Sequence, residues 1–457
     1  MTRRIHADRA LLPQGWARDV TVVIGADGAI VEVRSGAARD GAEDAGGPLV
    51  PAMPNLHSHA FQRGVAGLTG RSNTDGDDSF WTWRRALYAF LDHLDPDRFE
   101  AIAAQVYVEM AKAGYGAVAE FHYVHHDAKG RPYADRAEMS RRALAAALTA
   151  GTPLTLLPVY YAHGGFGAAP PSSAQRRFVM SVDEYAALVD ALVPLAQARG
   201  AVLGVAPHSL RAVAPDQLGR VVAAAPRHSP VHIHVAEQTT EVDDCLAWSG
   251  RRPVAWLLEH CAVDERWCLV HATHMVDAET TSLASSGAVA GLAPTTEADL
   301  GDGTFPGVAF AAAHGRWGVG SDSNTIVDPF AELRQFEYSQ RLAWRRRNLM
   351  RHGAGDSVGA SMWLAAARGG AQACGRRTGA IEPGAMADLV VLDAEEPALA
   401  GHGDTILDAA IFGPCRAPVR HTMASGSWIV RDGRHRDEEA VWSRFRAAMG
   451  RFPDAAA

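Results

Sequence analysis

The sequence predicts an α/β fold: a (β/α)8 barrel of the TIM type, with a small β-sandwich domain formed from both chain termini. Three observations carry this expectation. Eight short β-branched runs occupy the middle of the chain and alternate with Ala- and Leu-rich helical segments, the pattern of parallel strands joined by helices. Most of those runs end in His, Glu, Tyr or Ser, and in such a barrel the C-terminal strand ends form the functional face. Near both ends of the chain, strands and tight turns replace the alternation.

In chain order, residues 19 to 34 read DVTVVIGADGAIVEVR, two apolar runs around Gly25-Ala26-Asp27-Gly28. The Asp-Gly pair signals a hairpin. A Gly-, Ala- and acid-rich loop follows at 35–47. The eight central strand candidates are 49–57, 117–123, 154–162, 201–209, 231–237, 267–274, 288–294 and 316–323, with helical stretches such as 98–113 and 181–199 between them. The third and seventh lack a polar end. Residues 387–393 and 421–433 return to strands and turns. The expected division is 1–48 and 376–457 for the β domain and 49–375 for the barrel. An open doubly wound sheet fits less well, because no Gly-rich phosphate loop follows the first strand, and GVGSD at 318–322 lacks the GxGxxG spacing.

Composition narrows the class. A chain of 457 residues suggests roughly three domains at about 150 residues each, but α/β barrels run to about 250 as one unit. With 47% apolar and 21% charged residues, the chain is not intrinsically disordered and can bury a large core. Five scattered cysteines argue against a secreted disulfide scaffold and for a reducing, cytoplasmic compartment. A net charge of -8 without a long basic run argues against nucleic acid as a partner. No apolar segment follows Arg3-Arg4 and no 18-residue apolar run occurs, so neither signal peptide nor membrane span is expected. Lysine occurs only at positions 112 and 129.

The strand ends carry the chemistry. His57 and His59 lie two apart at the end of the first strand, so both imidazoles project to one side. His232 and His234 share a side of the fifth, with Glu237 just beyond. Either of these histidines completes a three-histidine set, and neutral imidazole suits zinc. His271 and His274 close the sixth strand. Asp322 closes the eighth, where an aspartate either binds metal and takes a proton or caps a helix. His125, His126 and Asp127 follow the second strand and read as a loop rather than a second metal site. Residues 163–167, His-Gly-Gly-Phe-Gly, read as a flexible loop beside the site.

These strings resemble the amidohydrolase superfamily, in the deaminase branch that holds one metal: HSH at 57–59, HIHVAEQ at 232–238, HATH at 271–274 and GSDSN at 320–324. Further similarity is to the members that deiminate N-formimidoyl-L-glutamate in histidine degradation, through MPNLHSHAFQR (53–63), FWTWR (80–84), EFHYVHH (120–126) and APHSLRAV (206–213). The resemblance implies one divalent metal, zinc foremost with iron or manganese as options, held by His57, His59, His234 and Asp322. It implies that Glu237 relays protons to the imino nitrogen, that His271 orients the attacking water, and that Asp322 accepts its proton. A homodimer is implied as well. The other branch of the superfamily bridges two metals with a carboxylated lysine on strand four, and strand four here has none.

A small anionic amidine needs donors for two carboxylates. Arg84 and Arg211 are the candidates, since the guanidinium fork matches a carboxylate; whether Arg84 or its neighbour Arg85 faces the site stays open. Gln62, Tyr123 and His208 are further hydrogen-bonding candidates, and Trp81 and Trp83 either pack in the core or wall the pocket. Two other readings compete: a deaminase of the same chemistry acting on a purine, pyrimidine or triazine ring, and an inactive barrel with a binding role.

Overall fold

The computed structural model describes residues 2–36, 38–68, 80–353 and 355–450, without the side chains of residues 80–82. Eight parallel strand positions surround one core. They are Met53–Ser58, Tyr115–His122, Leu154–Tyr160, a broken fourth of Val202–Leu203 and Ala206–Pro207, then Val231–Val235, Trp267–His271, Val289–Leu292 and Arg316–Val319. Strands one to four form one parallel ladder and five to eight another. Bridges Val205–Val231 and Ser209–His234 join four to five, and Ser58–Asp322 joins eight to one, closing the ring.

The helices outside the ring are specified locally. Pro96–Ala113 starts where the Asp95 side chain accepts the Arg98 N–H at 2.8 Å, with Pro96 in the first turn, and ends at Gly114 with φ 100°; proline early and glycine at the end are the expected punctuation. Val358–Ala373 lies so close to the first and eighth strands that a side chain at Gly369 would overlap the Trp317 carbonyl.

The terminal segments meet in one hydrogen-bonded sheet of nine strands. Arg3–Leu12, Gly15–Ile24 and Ile30–Arg34 form an antiparallel meander, with the expected Asp-Gly turn closed by Gly25 N–H to the Ala29 carbonyl at 2.8 Å. Leu49–Pro51 pairs antiparallel with Leu389–Leu392, which ties in the C-terminal strands Val419–Ala424, Ser427–Arg431 and Arg434–His435. Ile5, Val20, Val22, Leu389, Val391 and Met423 share a core separate from that of the barrel. The run 49–57, expected as one strand, is therefore two. Ala52 gives its N–H to the Asp388 carbonyl at 2.9 Å, and the chain crosses from the sheet into the barrel at that residue.

Candidate metal centre and active site

His57, His59 and His234 converge at the C-terminal end of the barrel. His57 Nε2 stands 3.2 Å from His59 Nε2 and 3.1 Å from His234 Nε2. His59 donates from Nδ1 to the Phe121 carbonyl at 2.9 Å, and His234 from Nδ1 to the His208 carbonyl at 3.1 Å. A carbonyl only accepts, so the proton of each neutral ring is on Nδ1 and the Nε2 lone pair faces the centre. Burial first, and neighbouring imidazoles second, hold His57 and His234 well below the usual histidine range; burial lowers His59 to about 3. Lone pairs crowded in a dry site repel unless a cation lies among them, and backbone-fixed tautomers are how metal-binding histidines are oriented. Asp322 stands beside these three histidines. Its Oδ1 is 3.2 Å from His59 Nε2 and 3.6 Å from His57 Nε2. The residues present fit a single divalent ion.

On the other side of Asp322, Oδ2 lies 3.7 Å from His271 Nε2, which is also 3.8 Å from Glu237 Oε1. Burial lowers the pKa of His271, but the carboxylates of Glu237, Glu297 and Asp322 outweigh it and raise the value to about 10. Burial pushes Asp322 up to about 7; a bound cation acts the opposite way on a carboxylate. The backbone is bent to present these groups. Ala236, His271, Ala272, Asp322 and Asn324 all have φ between 42° and 69°, a left-handed conformation that costs energy in non-glycine residues and clusters at functional sites.

One cavity holds His59, His234, Glu237, His271 and Asp322 together with Gln62, Arg84, Tyr123, His208 and Arg211. Arg84 donates to Tyr88 Oη at 2.5 Å and Tyr161 Oη at 3.3 Å, while Arg85 is exposed. Among the described residues, the buried Nε of Arg211 has no hydrogen-bond partner. Gln62 donates to Tyr123 Oη at 2.8 Å, and its buried Oε1 has no hydrogen-bond partner among the described residues. Trp83 lines the cavity; the Trp81 side chain lies outside the described residues.

Other candidates go elsewhere. His232 meets the Ala373 carbonyl at 2.8 Å and His274 the Asp302 carbonyl at 2.8 Å. His125 and His126 meet the Val159 and Val179 carbonyls, and Asp127 accepts from Lys129 and Arg131. Lys112 pairs with Glu438 at 2.9 Å. In the 163–167 loop, Phe166 stacks on Trp248. Several supports escaped the sequence reading. Glu241 accepts the N–H groups of Ala236 and Glu237, Asn55 accepts the Ser321 N–H at 3.1 Å, and Glu297 contacts His271 at 3.3 Å.

The family model described as "Amidohydrolase family" matches residues 49–429, and the chain belongs to that family. A second model, "Formimidoylglutamate deiminase HutF, N-terminal domain", matches residues 2–47. The chain is 52% identical over 451 residues to a formimidoylglutamate deiminase of Pseudomonas aeruginosa, covering 98% of this chain and 99% of that one. It is 28% identical to an 8-oxoguanine deaminase of the same organism over 88% of this chain and 86% of that one. Among solved structures, an amidohydrolase from Brucella melitensis superposes with a TM-score of 0.93 at 49% identity, covering 98% of this chain and 99% of that one.

Proposed function

We propose that the protein hydrolyses N-formimidoyl-L-glutamate to N-formyl-L-glutamate and ammonia, a step of histidine degradation. One observation carries this reading: Arg84 and Arg211 line the same cavity as His59, His234, Glu237, His271 and Asp322. The donors that a dicarboxylate requires thus share a space with groups suited to hydrolysis. Likeness to the Pseudomonas aeruginosa deiminase over nearly the full length supports the same substrate.

His57, His59, His234 and Asp322 would hold one divalent ion, with zinc the best match to three imidazoles and a carboxylate and iron or manganese able to use the same ligands. When bound, such an ion lowers the pKa of water, so that hydroxide is available near neutral pH. Asp322 takes the proton of the attacking water. His271 directs that water through Nε2. The new C–O bond forms at the formimidoyl carbon while Glu237 passes a proton to the imino nitrogen. The proton held by Asp322 then reaches that nitrogen, and Glu237 takes back the proton of the new hydroxyl as the C=O bond forms. The C–N bond breaks, and nitrogen leaves as ammonia with both carboxyl groups restored. Arg84 and Arg211 clamp the carboxylates, with Gln62, Tyr123 and His208 adding hydrogen bonds. The barrel, which the chain enters at Ala52, is the catalytic unit, and the sheet of the two chain termini braces it.

The same reading makes the protein a cytoplasmic homodimer. Five unpaired cysteines support a reducing compartment, and the family likeness supports the dimer. No helix among the described residues is long and apolar enough to cross a membrane. Ammonia release from N-formimidoyl-L-glutamate, beside N-formimidoylglycine, adenine, guanine and cytosine, tests the activity. Turnover of a heterocycle in preference to the amidine overturns the substrate, and turnover of none with metal supplied leaves a binding barrel. Light scattering on the purified protein tests the dimer.

A further inference from the structure

His271 meets the cavity with Nε2, and its other nitrogen is held from behind. Glu297 Oε1 lies 3.3 Å from His271 Nδ1 and accepts the Ala293 N–H at 3.0 Å. Glu297 sits in the short helix Pro294–Leu300, directly after the seventh strand, and its side chain turns back toward the sixth. Both groups are buried, His271 at 1% exposure and Glu297 at 5%. Among the described residues no other acceptor is hydrogen-bonded to Nδ1. The ring plane has a separate support: His234 stacks on His271 with the planes 14° apart and the centroids 5.5 Å apart. Stacking sets the plane of an imidazole, but it does not choose which nitrogen faces the cavity. A carboxylate oxygen does, because it accepts and cannot donate.

We infer that Glu297 is a positioning residue: it accepts the Nδ1–H of His271 and so fixes the ring with Nε2 toward the reacting centre. The inference deepens the proposed deimination and rests on it for its kinetic readout. The Glu297 carboxylate is itself fixed by the Ala293 N–H, so the end of the seventh strand, which carries no polar side chain into the site, acts on the chemistry through its backbone. Glu297 acts only through His271, and that separates positioning from general support of the fold.

The test is a double-mutant cycle with a spectroscopic arm. Glu297→Ala is expected to lower kcat about 10- to 100-fold, the range for residues that orient active-site histidines, with KM for N-formimidoyl-L-glutamate and metal content unchanged. Glu297→Gln retains an oxygen for Ala293 and should lose less; it also stands in if the alanine variant does not fold. In a His271→Asn background, Glu297→Ala should cost nothing further. An undiminished loss in that background, or kcat within about twofold of wild type in both Glu297 variants, overturns the inference; outer-shell partners of this kind otherwise cost at least tenfold. Protein labelled with 15N-histidine gives a readout without substrate. An Nδ1–H signal absent from His271→Asn should be present in the wild type and lost or shifted in Glu297→Ala. If the wild type releases no ammonia, the proposed activity fails, and this signal still decides the role of Glu297: unchanged in Glu297→Ala, it overturns it.

Discussion

Ser58 and Asp322 form the bridge at which the first and last strands of the barrel meet. The Asp322 N–H donates to the His57 carbonyl at 3.0 Å, and the His59 N–H donates to the Asp322 carbonyl at 2.9 Å. Asn324 fastens the same seam, its amide donating to the His59 and Asp322 carbonyls at 3.0 Å each. Closing the barrel and bringing His57, His59 and Asp322 together are therefore one structural event. A change that loosens the seam should register first as loss of metal.

Gly320 gives the sharpest probe of that coupling. A Cβ there would stand 2.5 Å from the His57 carbonyl oxygen and 2.7 Å from its nitrogen, so the first strand would have to shift. Gly320→Ala should destabilise the protein by about 1–3 kcal/mol, the usual cost of forcing atoms into a packed core, and should reduce bound metal per chain. Gly219, inside the helix Pro215–Ala223 with nothing within 4 Å of its virtual Cβ, is the control. There alanine should hold or raise the melting temperature, since it removes backbone freedom from the unfolded chain. Thermal unfolding and metal analysis on both variants decide the matter; equal behaviour would separate closure from the site.

His234→Ala removes one of three Nε2 atoms that lie within 3.2 Å of a neighbour. Metal content should fall below one equivalent, and ammonia release with it, because the ion loses one of the imidazoles that hold it. His232→Ala changes the other histidine of the same strand, bonded to the Ala373 carbonyl. It should leave metal content unchanged while lowering stability. Metal stoichiometry by mass spectrometry distinguishes the two.

The fold and the cluster of candidate groups were legible because strand alternation places residues by period, and the barrel puts strand ends on one face. His57 and His59 needed nothing more than that. The choice between Arg84 and Arg85 was not legible: neighbours on a helix differ by about 100° in direction, and the tertiary position of the helix Phe80–Leu91 decides which faces the cavity. Glu297 and Glu241 were missed for a related reason. Each lies on a helix after its strand and turns back to hold a neighbour, Glu241 on the N–H groups of residues 236 and 237. Local polarity at strand ends carries no sign of such a return. His232 and His234 share a face by period, and only depth along the barrel separates them.

Glu120 makes the pH dependence of stability testable. Burial pushes its carboxyl up to about 8, while its Oε1 accepts the Ala60 N–H at 2.8 Å. A carboxyl whose folded-state pKa exceeds the unfolded value of about 4.3 favours folding when protonated. Its contribution is complete below that value, declines as pH rises, and is lost by about pH 8. Glu120→Gln cannot ionise. Its stability relative to wild type should therefore rise between pH 5 and pH 8 and level off above, as read by urea unfolding at each pH. A difference independent of pH would mean that Glu120 is ionised throughout.

Arg211 should govern binding of the substrate's carboxylates rather than the bond-breaking step. It lines the cavity with a buried Nε that has no hydrogen-bond partner among the described residues, whereas Arg84 is already braced by two tyrosine hydroxyls. A hydrogen bond to a charged group contributes about 1.5–3 kcal/mol, so Arg211→Ala should raise KM for N-formimidoyl-L-glutamate by roughly 10- to 100-fold, with a smaller effect on kcat. Lysine at this position keeps the charge but loses the planar fork, and should recover only part of the loss. N-formimidoylglycine lacks the second carboxylate. If Arg211 holds that group, the variant and wild type should differ little on the glycine compound; if it holds the α-carboxylate, both substrates should suffer alike. Loss of kcat on both substrates at unchanged KM would instead place Arg211 in the hydrolytic machinery, beside Glu237 and His271.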